Sequence, residues 1–432
     1  MLKCLSEDSH FEEMFNRDKK RDNLTTTSCE ELWNIDITIL NTVGVSLRDA
    51  FGGEYRKSNL LQTTLYIVGV ISQSLFICFA VYTLYIVENI DLDFITSFTP
   101  LAFGVGMSIL KGSTLWFHRR ELFEILKEFH TRWIYVRTKV HLQNEIHMLI
   151  NTSKKVRYCY MTSMIGIGLS YALRPYLLLF THYLKTLVLQ SNSTMDFSVM
   201  WPLTYPFTYQ TMNRYLLVLL YEQCLNYFGI CCITICDTFF IHLMTHTSIN
   251  FLVLADDFRN MNQHIDINNK DSDNDNDGVQ HMIELVNKHR SMLSICQKIV
   301  SSYNLVVFFT MVLNGLDICL CILSLDKQIS ERLWELLAKN LVHATGVCVQ
   351  IILYCNFANT ATEMTARIQQ SIYELEWTSC NSKFKKMLML MMTYTSKKYT
   401  FSAYGIITLD REQLTKIFQT TMSYFTLLRS FT

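Results

Sequence analysis

Long apolar stretches with almost no charge alternate with polar segments along most of the sequence. Leu60–Val87 holds no Asp, Glu, Lys or Arg in 28 residues, and Asn340–Thr362 holds none in 23. Four further stretches carry one charged residue each: Phe94–Phe117 with Lys111, Tyr158–Phe180 with Arg174, Tyr215–Cys236 with Glu222 and Val300–Leu323 with Asp317. A helix of about 20 apolar residues crosses a bilayer, where backbone groups are satisfied only within helices or closed barrels. The pattern predicts an all-α, polytopic membrane protein.

The segment after Trp377 has a weaker hydrophobic signal. Its last uncharged run, Ile417–Leu428, is only 12 residues long. Polar residues recur in and just before this run: Thr415, Gln419, Thr420, Ser423 and Thr426. A helix with such a polar face is typical of an element that lines a water-filled pore. Including it gives a prediction of seven transmembrane helices.

Two segments outside the apolar stretches are also predicted to be helical. In Arg119–Val156 apolar residues recur at three-to-four spacing among charges, and the fourth apolar stretch continues to Asp256–Arg259. Such helices would form a packed base below the membrane. The low-complexity insert 260–278 interrupts them. We therefore expect a cytoplasmic N-terminal segment, residues 1–59, and a transmembrane channel domain, residues 60–432, that contains the insert.

The distribution of Lys and Arg predicts the orientation of the chain. Residues 1–59 contain eight and His118–Arg157 contains nine, whereas Glu88–Asp93 contains none and Thr181–Arg214 contains two. Basic residues are enriched on the cytoplasmic side of membrane proteins. The N-terminus is therefore predicted to be cytoplasmic and, with seven spans, the C-terminus extracellular.

Composition argues against several classes of function. Hydrophobic residues make up 50% of the 432 residues and charged residues 18%, below the roughly 25% of soluble domains. The net charge is zero, so no basic surface for nucleic acid is predicted. The sequence has no HExxH, GxSxG or CxxC motif and no glycine-rich phosphate loop. We expect neither an enzyme nor a cofactor.

Two short motifs match known functional patterns, but neither pattern requires the function. Asp273, Asp275 and Asp277, followed by Gly278 and then Glu284, match a calcium-loop pattern. Low-complexity sequence precedes the pattern and Gln280 stands at its eighth position, so a solvated acidic loop without metal is the favoured interpretation. Among the sequons, only the one at Asn192 falls in a predicted external loop, where it could be glycosylated.

About half of the sequence, from Trp201 onward, resembles insect odorant receptors. The resemblance is carried by Met391–Met392, Ser396–Lys397, Phe401, Ser402, Ala403, Gly405, Leu409, Leu414, Ile417 and the run Ser423–Arg429. Upstream, Tyr354–Cys355, Tyr373 and Trp377 are similar to the exit of the family's sixth helix. Tyr205–Phe207 and Asp237–Phe240 are similar to the entry and exit of its fourth. Before Trp201 only the order of spans and the loop sizes are similar.

This resemblance implies an odorant-binding subunit of a ligand-gated, non-selective cation channel. Such subunits assemble as heterotetramers with a shared odorant co-receptor in the plasma membrane of olfactory sensory neurons. Ser423 and Ser430 stand where gustatory receptors and the co-receptor have Thr and Gln, which favours a ligand-tuning receptor. A gustatory receptor channel and a seven-helix metabotropic chemoreceptor are the alternatives. The metabotropic class needs an external N-terminus, against the Lys and Arg distribution.

The resemblance also implies where ligand and gate lie. The gate maps to Leu427 and Phe431 on the last helix, with Ser430 as polar lining; packing against neighbouring helices is the alternative role. The ligand is a volatile small molecule, which requires an apolar pocket lined by aromatic residues. The resemblance places the ligand among the outer halves of the second, third, fourth and sixth helices. Depth along these apolar stretches then gives the predicted pocket residues: Phe94, Phe98, Phe103, Tyr171, Tyr176, Tyr215, Leu219, His343, Thr345 and Val347.

Overall fold

The computed structural model describes residues 27–55, 59–87, 92–189, 197, 199–201, 203–261, 275–332, 334–380 and 382–429, and helices account for nearly all of these residues. The helices are α1 (Cys29–Thr42), α2 (Leu60–Ile86), α3 (Leu92–Phe117), α4 (Arg119–Thr138), α5 (Gln143–Leu189), α6 (Met212–Arg259), α7 (Asp275–Ser330), α8 (Trp334–Tyr373), α9 (Ser382–Thr395) and α10 (Arg411–Arg429). Two short strands, β1 (Ser402–Ala403) and β2 (Ile407–Thr408), form an antiparallel hairpin before α10.

The hairpin is a departure from the all-α prediction. Its turn contains Tyr404 and Gly405, whose φ angles are 52° and 69°. Glycine adopts a positive φ without strain, and a positive φ is incompatible with a continuing helix. The chain therefore reverses direction here, between α9 and α10. The sequence-based prediction missed the hairpin because each strand has only two residues.

Polar side chains at two helix starts explain where these helices begin. The Ser28 side chain accepts a hydrogen bond from the Glu31 N–H at 3.2 Å, and Glu31 accepts one from the Ser28 N–H at 3.3 Å. At α2, the Gln62 side chain accepts from the Asn59 N–H at 2.9 Å. Both arrangements satisfy N–H groups that lack partners within the helix.

Three helices are far longer than a bilayer requires. α5, α6 and α7 contain 47, 48 and 56 residues, against about 20 for one crossing. The predicted continuation of the fourth apolar stretch to Arg259 is therefore confirmed. The predicted helix over Arg119–Val156 is instead broken at Lys139, where α4 ends, and a 3₁₀ turn at Val140–Leu142 leads into α5.

Within the described residues, five helices are long and apolar enough to cross a membrane. They span Leu60–Ile86, Val140–Thr181, Met212–Arg259, Gly278–Ser330 and Asn340–Tyr373. The outward face of α2 is an example of such an apolar surface, since its Leu65, Val68 and Ile71 side chains are all exposed. A row of exposed aliphatic side chains is costly in water and suits a lipid environment.

α6 is the central helix of the fold. Its second half is almost entirely buried between Thr234 and Ala255, although this segment includes His242 and His246. α1 packs against this half of α6: Trp33 stacks on the His242 ring with centroids 3.8 Å apart. Asp36 accepts hydrogen bonds from Arg157 and from His242, at 2.5 Å and 2.8 Å. The segment before the first apolar stretch is thus tied to the core.

Charged pairs lie at the C-terminal end of α6. Lys139 Nζ lies 3.1 Å from Asp256 Oδ2 and 2.5 Å from Asp257 Oδ1. Burial alone would lower the pKa of Lys139, but the contacts with Asp257 and Asp256 outweigh it and raise that pKa. The neighbouring Tyr135 hydroxyl donates to Asp257, and burial together with this carboxylate raises the Tyr135 pKa to about 12. Lys139 therefore remains charged at neutral pH.

The predicted insert 260–278 lies only partly within the described residues. Asn260 and Met261 follow α6, and α7 begins at Asp275. Asp275, Asp277 and Glu284 of the calcium-loop pattern therefore lie in one helix, whereas Asp273 lies outside the described residues. Glu284 pairs with His281 at 3.8 Å. A helix cannot wrap twelve residues around an ion as the loop pattern requires.

Candidate functional site

A cavity of about 770 Å³ lies between α3, α5, α6, α7 and α8. Most of its wall is apolar, and a few polar side chains converge on it from three helices. The lining residues are Pro100, Phe103, Gly104, Met107, Tyr160, Met164, Ile167, Ser170, Tyr171, Arg174, Ile233, Asn314, Asp317, Trp334, Ala338, Val342, His343, Gly346, Val347 and Gln350. A cavity of this size and composition suits a small, largely apolar molecule with one or two polar groups.

Four of the residues predicted for a ligand pocket line this cavity: Phe103, Tyr171, His343 and Val347. They come from three different helices, and the cavity brings them together. The Tyr171 ring also stacks on the Trp201 ring, with centroids 5.8 Å apart. Tyr171 is therefore held between the loop before α6 and the cavity.

The other six predicted residues do not line the cavity. Phe94 and Phe98 stack on each other at 5.2 Å in a separate apolar cluster. Tyr215 and Leu219 are buried on α6, and Tyr176 and Thr345 are exposed. Depth along a helix follows from the sequence, but the direction of a side chain depends on the rotation of the helix.

A buried hydrogen-bond network centred on Asp237 adjoins the cavity. Its carboxylate accepts hydrogen bonds from Tyr160 and Tyr354, both at 2.7 Å, and from Gln350 at 2.6 Å. Lys111 forms an ion pair with it at 2.5 Å. Tyr160 and Gln350 also line the cavity, so they connect its interior to this charge pair. Multiple hydrogen bonds are what allow a buried charge pair to be stable.

Asn314 extends this network toward α10. Its side-chain amide donates to Gln350 Oε1 at 2.7 Å, and both residues line the cavity. The next residue, Gly315, lies against α10: a Cβ placed there would be 3.9 Å from Ile417 and 4.0 Å from Thr421. The cavity wall and the contact with the last helix are therefore adjacent on α7.

Three charged residues in the apolar stretches have distinct surroundings. Asp317 is paired with His343 at 2.8 Å on the cavity wall, and Arg174 also lines the cavity. Glu222 accepts hydrogen bonds from the Met200 N–H at 2.9 Å and the Tyr205 hydroxyl at 2.7 Å. Glu222 thereby holds the segment before α6 in place. It does not line the cavity.

α10 has one packed face and one exposed face. Leu414, Ile417, Phe418, Thr421 and Phe425 are buried or half-buried, facing α7 and α8. Thr420, Ser423 and Leu427 lie on another face and are exposed. The predicted gate residues Ser430 and Phe431, and the sequon residue Asn192, lie outside the described residues.

The residues of the hydrogen-bond network centred on Asp237 were not predicted from the sequence. Lys111 and Asp237 were visible as a single cation within one apolar stretch and an anion at the end of another. Opposite charges in separate membrane helices commonly pair, and this signal could have found them. Asn314 and Gln350 carry no comparable signal, because uncharged amides occur throughout apolar helices.

Comparison with known proteins gives a consistent result. The family model described as 7tm Odorant receptor matches residues 91–422. Odorant receptor 22c from Drosophila melanogaster is 23% identical over 160 residues, which cover 35% of this chain and 37% of that protein. Odorant receptor 67c from the same species is 20% identical over 159 residues, covering 37% and 38%. These matches span little more than a third of the relatives' length.

Solved structures share the fold over nearly the whole chain. The insect olfactory receptor OR5 from Machilis hrabei in complex with eugenol aligns with a TM-score of 0.71 and 12% identity, covering 93% of this chain and 98% of that one. The structure of the same receptor described without eugenol aligns with a TM-score of 0.68 and 13% identity, covering 92% and 97%. Because the family model spans well over half of the sequence, this chain belongs to the 7tm Odorant receptor family.

Proposed function

We propose that this chain is the odorant-binding subunit of a ligand-gated, non-selective cation channel. It assembles with a shared odorant co-receptor and acts in the plasma membrane of olfactory sensory neurons. Membership of the odorant receptor family and the fold shared with an insect olfactory receptor support this proposal. The chain crosses the membrane seven times, with α3 and α10 added to the five helices that are apolar enough by composition. Residues 1–59 are cytoplasmic, residues 60–432 form the channel domain, and the C-terminus is extracellular.

The cavity between α3, α5, α6, α7 and α8 is the odorant site. Its volume of about 770 Å³ is within the range of small-molecule sites, about 300–1,000 Å³. The wall offers apolar contact from residues such as Phe103 and Val347, and hydrogen-bonding groups from Asn314, Gln350 and His343. A volatile molecule has few polar groups, so shape and one or two hydrogen bonds determine which odorant binds. Eugenol, bound by the structural relative, is a molecule of this kind.

The conformational effect of odorant binding is transmitted to the pore through α7. Asn314 and Gln350 form a hydrogen bond at the cavity, and Gly315 contacts α10 through Ile417 and Thr421. A ligand that competes for the amide of Asn314 shifts α7 at the point where α10 packs on it. The exposed face of α10, with Thr420, Ser423 and Leu427, lines the pore, and Leu427, Ser430 and Phe431 form the gate. Asn192 is glycosylated on the extracellular side.

Co-expression with an insect odorant co-receptor tests the proposal. Cells that express both subunits should carry an inward cation current when a volatile from a panel that includes eugenol is applied. Cells with the co-receptor alone serve as the control. A surface-expressed pair that stays silent over a broad panel, or a response that needs a G protein and carries no direct current, would contradict the channel function.

A further inference from the structure

Three side chains with metal-binding atoms meet at the wall of the cavity. Asp317 and Cys321 lie one turn apart on α7, and His343 faces them from α8. One ligand atom of each lies within 4.8 Å of the other two, and no other set of His, Cys, Asp and Glu in the described residues is this close. His343 Nε2 is 2.8 Å from Asp317 Oδ2, and Cys321 Sγ is 4.0 Å from Asp317 Oδ1.

The chemistry of these three atoms is that of a transition-metal site. A carboxylate oxygen, a thiolate sulfur and an imidazole nitrogen bind Zn²⁺ at about 2.0–2.3 Å, and tetrahedral geometry then places them about 3.3–3.6 Å apart. Movements of about 1 Å bring the observed atoms to that spacing. The ligands come from two helices, so a bound ion would join α7 to α8. Thiolate and imidazole favour Zn²⁺ over Mg²⁺ or Ca²⁺, which prefer oxygen.

Charge and access are consistent with such a site. Asp317 and Cys321 are 4% and 3% exposed, and a divalent ion would be neutralised by one carboxylate and one thiolate in this apolar setting. On binding, the Cys321 thiol releases its proton to water. The imidazole proton of His343 moves from Nε2 to Nδ1, so that Nε2 exchanges its hydrogen bond to Asp317 for a bond to the metal. Asp317 and His343 line the cavity, so the fourth position of a tetrahedral ion opens into it.

We propose that Asp317, Cys321 and His343 form a binding site for Zn²⁺ at the wall of the cavity. The site has an open position of the kind that accepts a water molecule or a thiol, amine or other donor group of a small molecule. Metal binding itself does not depend on the proposed odorant function. The effect of a bound ion on odorant responses does depend on that function, because the ion would narrow the cavity and hold α7 against α8.

Thermal stability of the full chain, fused to a fluorescent protein and solubilised together with the co-receptor, tests metal binding without any channel recording. After treatment with a chelator, excess Zn²⁺ should raise the melting temperature of the wild type by at least about 2 °C. Cys321→Ala and His343→Ala should lose this rise. Cys319→Ala is the matched control, because Cys319 lies two residues away, is buried, and is not part of the cluster. A Zn²⁺ effect that is absent from the wild type, or equal in all four proteins, would overturn the site and leave a hydrogen-bonded Asp317–His343 pair.

Current recordings then test the effect on the cavity. Zn²⁺ applied from outside should raise the odorant concentration needed for a half-maximal response in the wild type and in Cys319→Ala. The Zn²⁺ concentration required should rise at least about tenfold in Cys321→Ala, because loss of even a supporting contact costs 10–100-fold in metal affinity. If stabilisation is seen without any shift in the odorant response, the metal site stands and the assignment of this cavity to odorant fails.

Discussion

Lys111 on α3 and Asp237 on α6 form an ion pair at 2.5 Å in which both side chains are almost completely buried, with exposures of 0% and 1%. Tyr160, Tyr354 and Gln350 complete the hydrogen bonds of the carboxylate. The pair therefore links α3, α5, α6 and α8 next to the cavity, which Tyr160 and Gln350 line. Such a pair contributes to a single defined arrangement of these helices, because any other arrangement leaves a charge without its partner.

Lys111→Met should destabilise the fold severely. The substitution retains most of the side-chain volume but leaves the Asp237 carboxylate buried without a cation, which costs about 3–5 kcal/mol. We expect a large fall in melting temperature or in surface expression, measured on the fluorescent fusion. Lys127→Met, at an exposed position on α4, is the control and should behave like the wild type. Normal stability of Lys111→Met would mean that the ion pair does not hold the helices together.

The contact of α2 with α6 depends on the absence of a side chain at Gly69. A Cβ at this position would overlap the Phe228 ring. Gly69→Ala should therefore force the helices apart and lower the free energy of unfolding by about 1–3 kcal/mol. Gly106→Ala is a matched control, since nothing lies within 4 Å of a Cβ placed there. Equal melting temperatures of the two variants would show that this close approach is wrong.

The gate can be tested at Leu427, the gate position for which the structure gives a location. If the exposed face of α10 lines the pore, Leu427→Ser makes the constriction more polar and should raise the current recorded without odorant. If this chain shares the pore with co-receptor subunits, as proposed, their own gate residues would make the increase partial. Met422→Ser, on a different face of the same helix, is the control. Unchanged basal current and ion selectivity in a surface-expressed Leu427→Ser channel would favour a packing role.

Orientation in the membrane is predicted from the positions of Lys and Arg. An epitope tag at Met1 should bind antibody only after permeabilisation, and one placed after Thr432 should bind on intact cells. Labelling of the N-terminal tag on intact cells would contradict the cytoplasmic N-terminus. It would also remove the main argument against a metabotropic receptor.

Much of the fold was predictable because lipid imposes a simple rule on composition. The charge-free run Leu60–Val87 corresponds to α2, Leu60–Ile86, almost residue for residue. The break between α4 and α5 was harder to predict, because the apolar pattern of Arg119–Val156 continues through the 3₁₀ turn at Val140–Leu142. Hydropathy records how apolar a segment is and carries little information about a short change in backbone geometry.

Only part of the cavity lining was predictable from the sequence. Phe103, Tyr171, His343 and Val347 line it, whereas Tyr215 and Leu219 are buried elsewhere on α6. Depth along a helix follows from the sequence, but its rotation depends on packing against all its neighbours, as the ring contact between Phe197 and Tyr215 illustrates. The hydrogen bond between Asn314 and Gln350 joins residues 36 positions apart and requires the packed structure.

A comparison of two glycine substitutions tests most directly whether an odorant occupies the cavity lined by Gly346. Neither Gly346 on α8 nor Gly166 on α5 has an atom within 4 Å of an added Cβ, but only Gly346 lines the cavity. In channels co-expressed with the co-receptor, Gly346→Leu should raise the half-maximal odorant concentration at least about tenfold, equivalent to 1.4 kcal/mol, or abolish the response. Gly166→Leu should leave the odorant response unchanged. An unaltered concentration–response curve for surface-expressed Gly346→Leu would contradict the assignment of this cavity to the odorant.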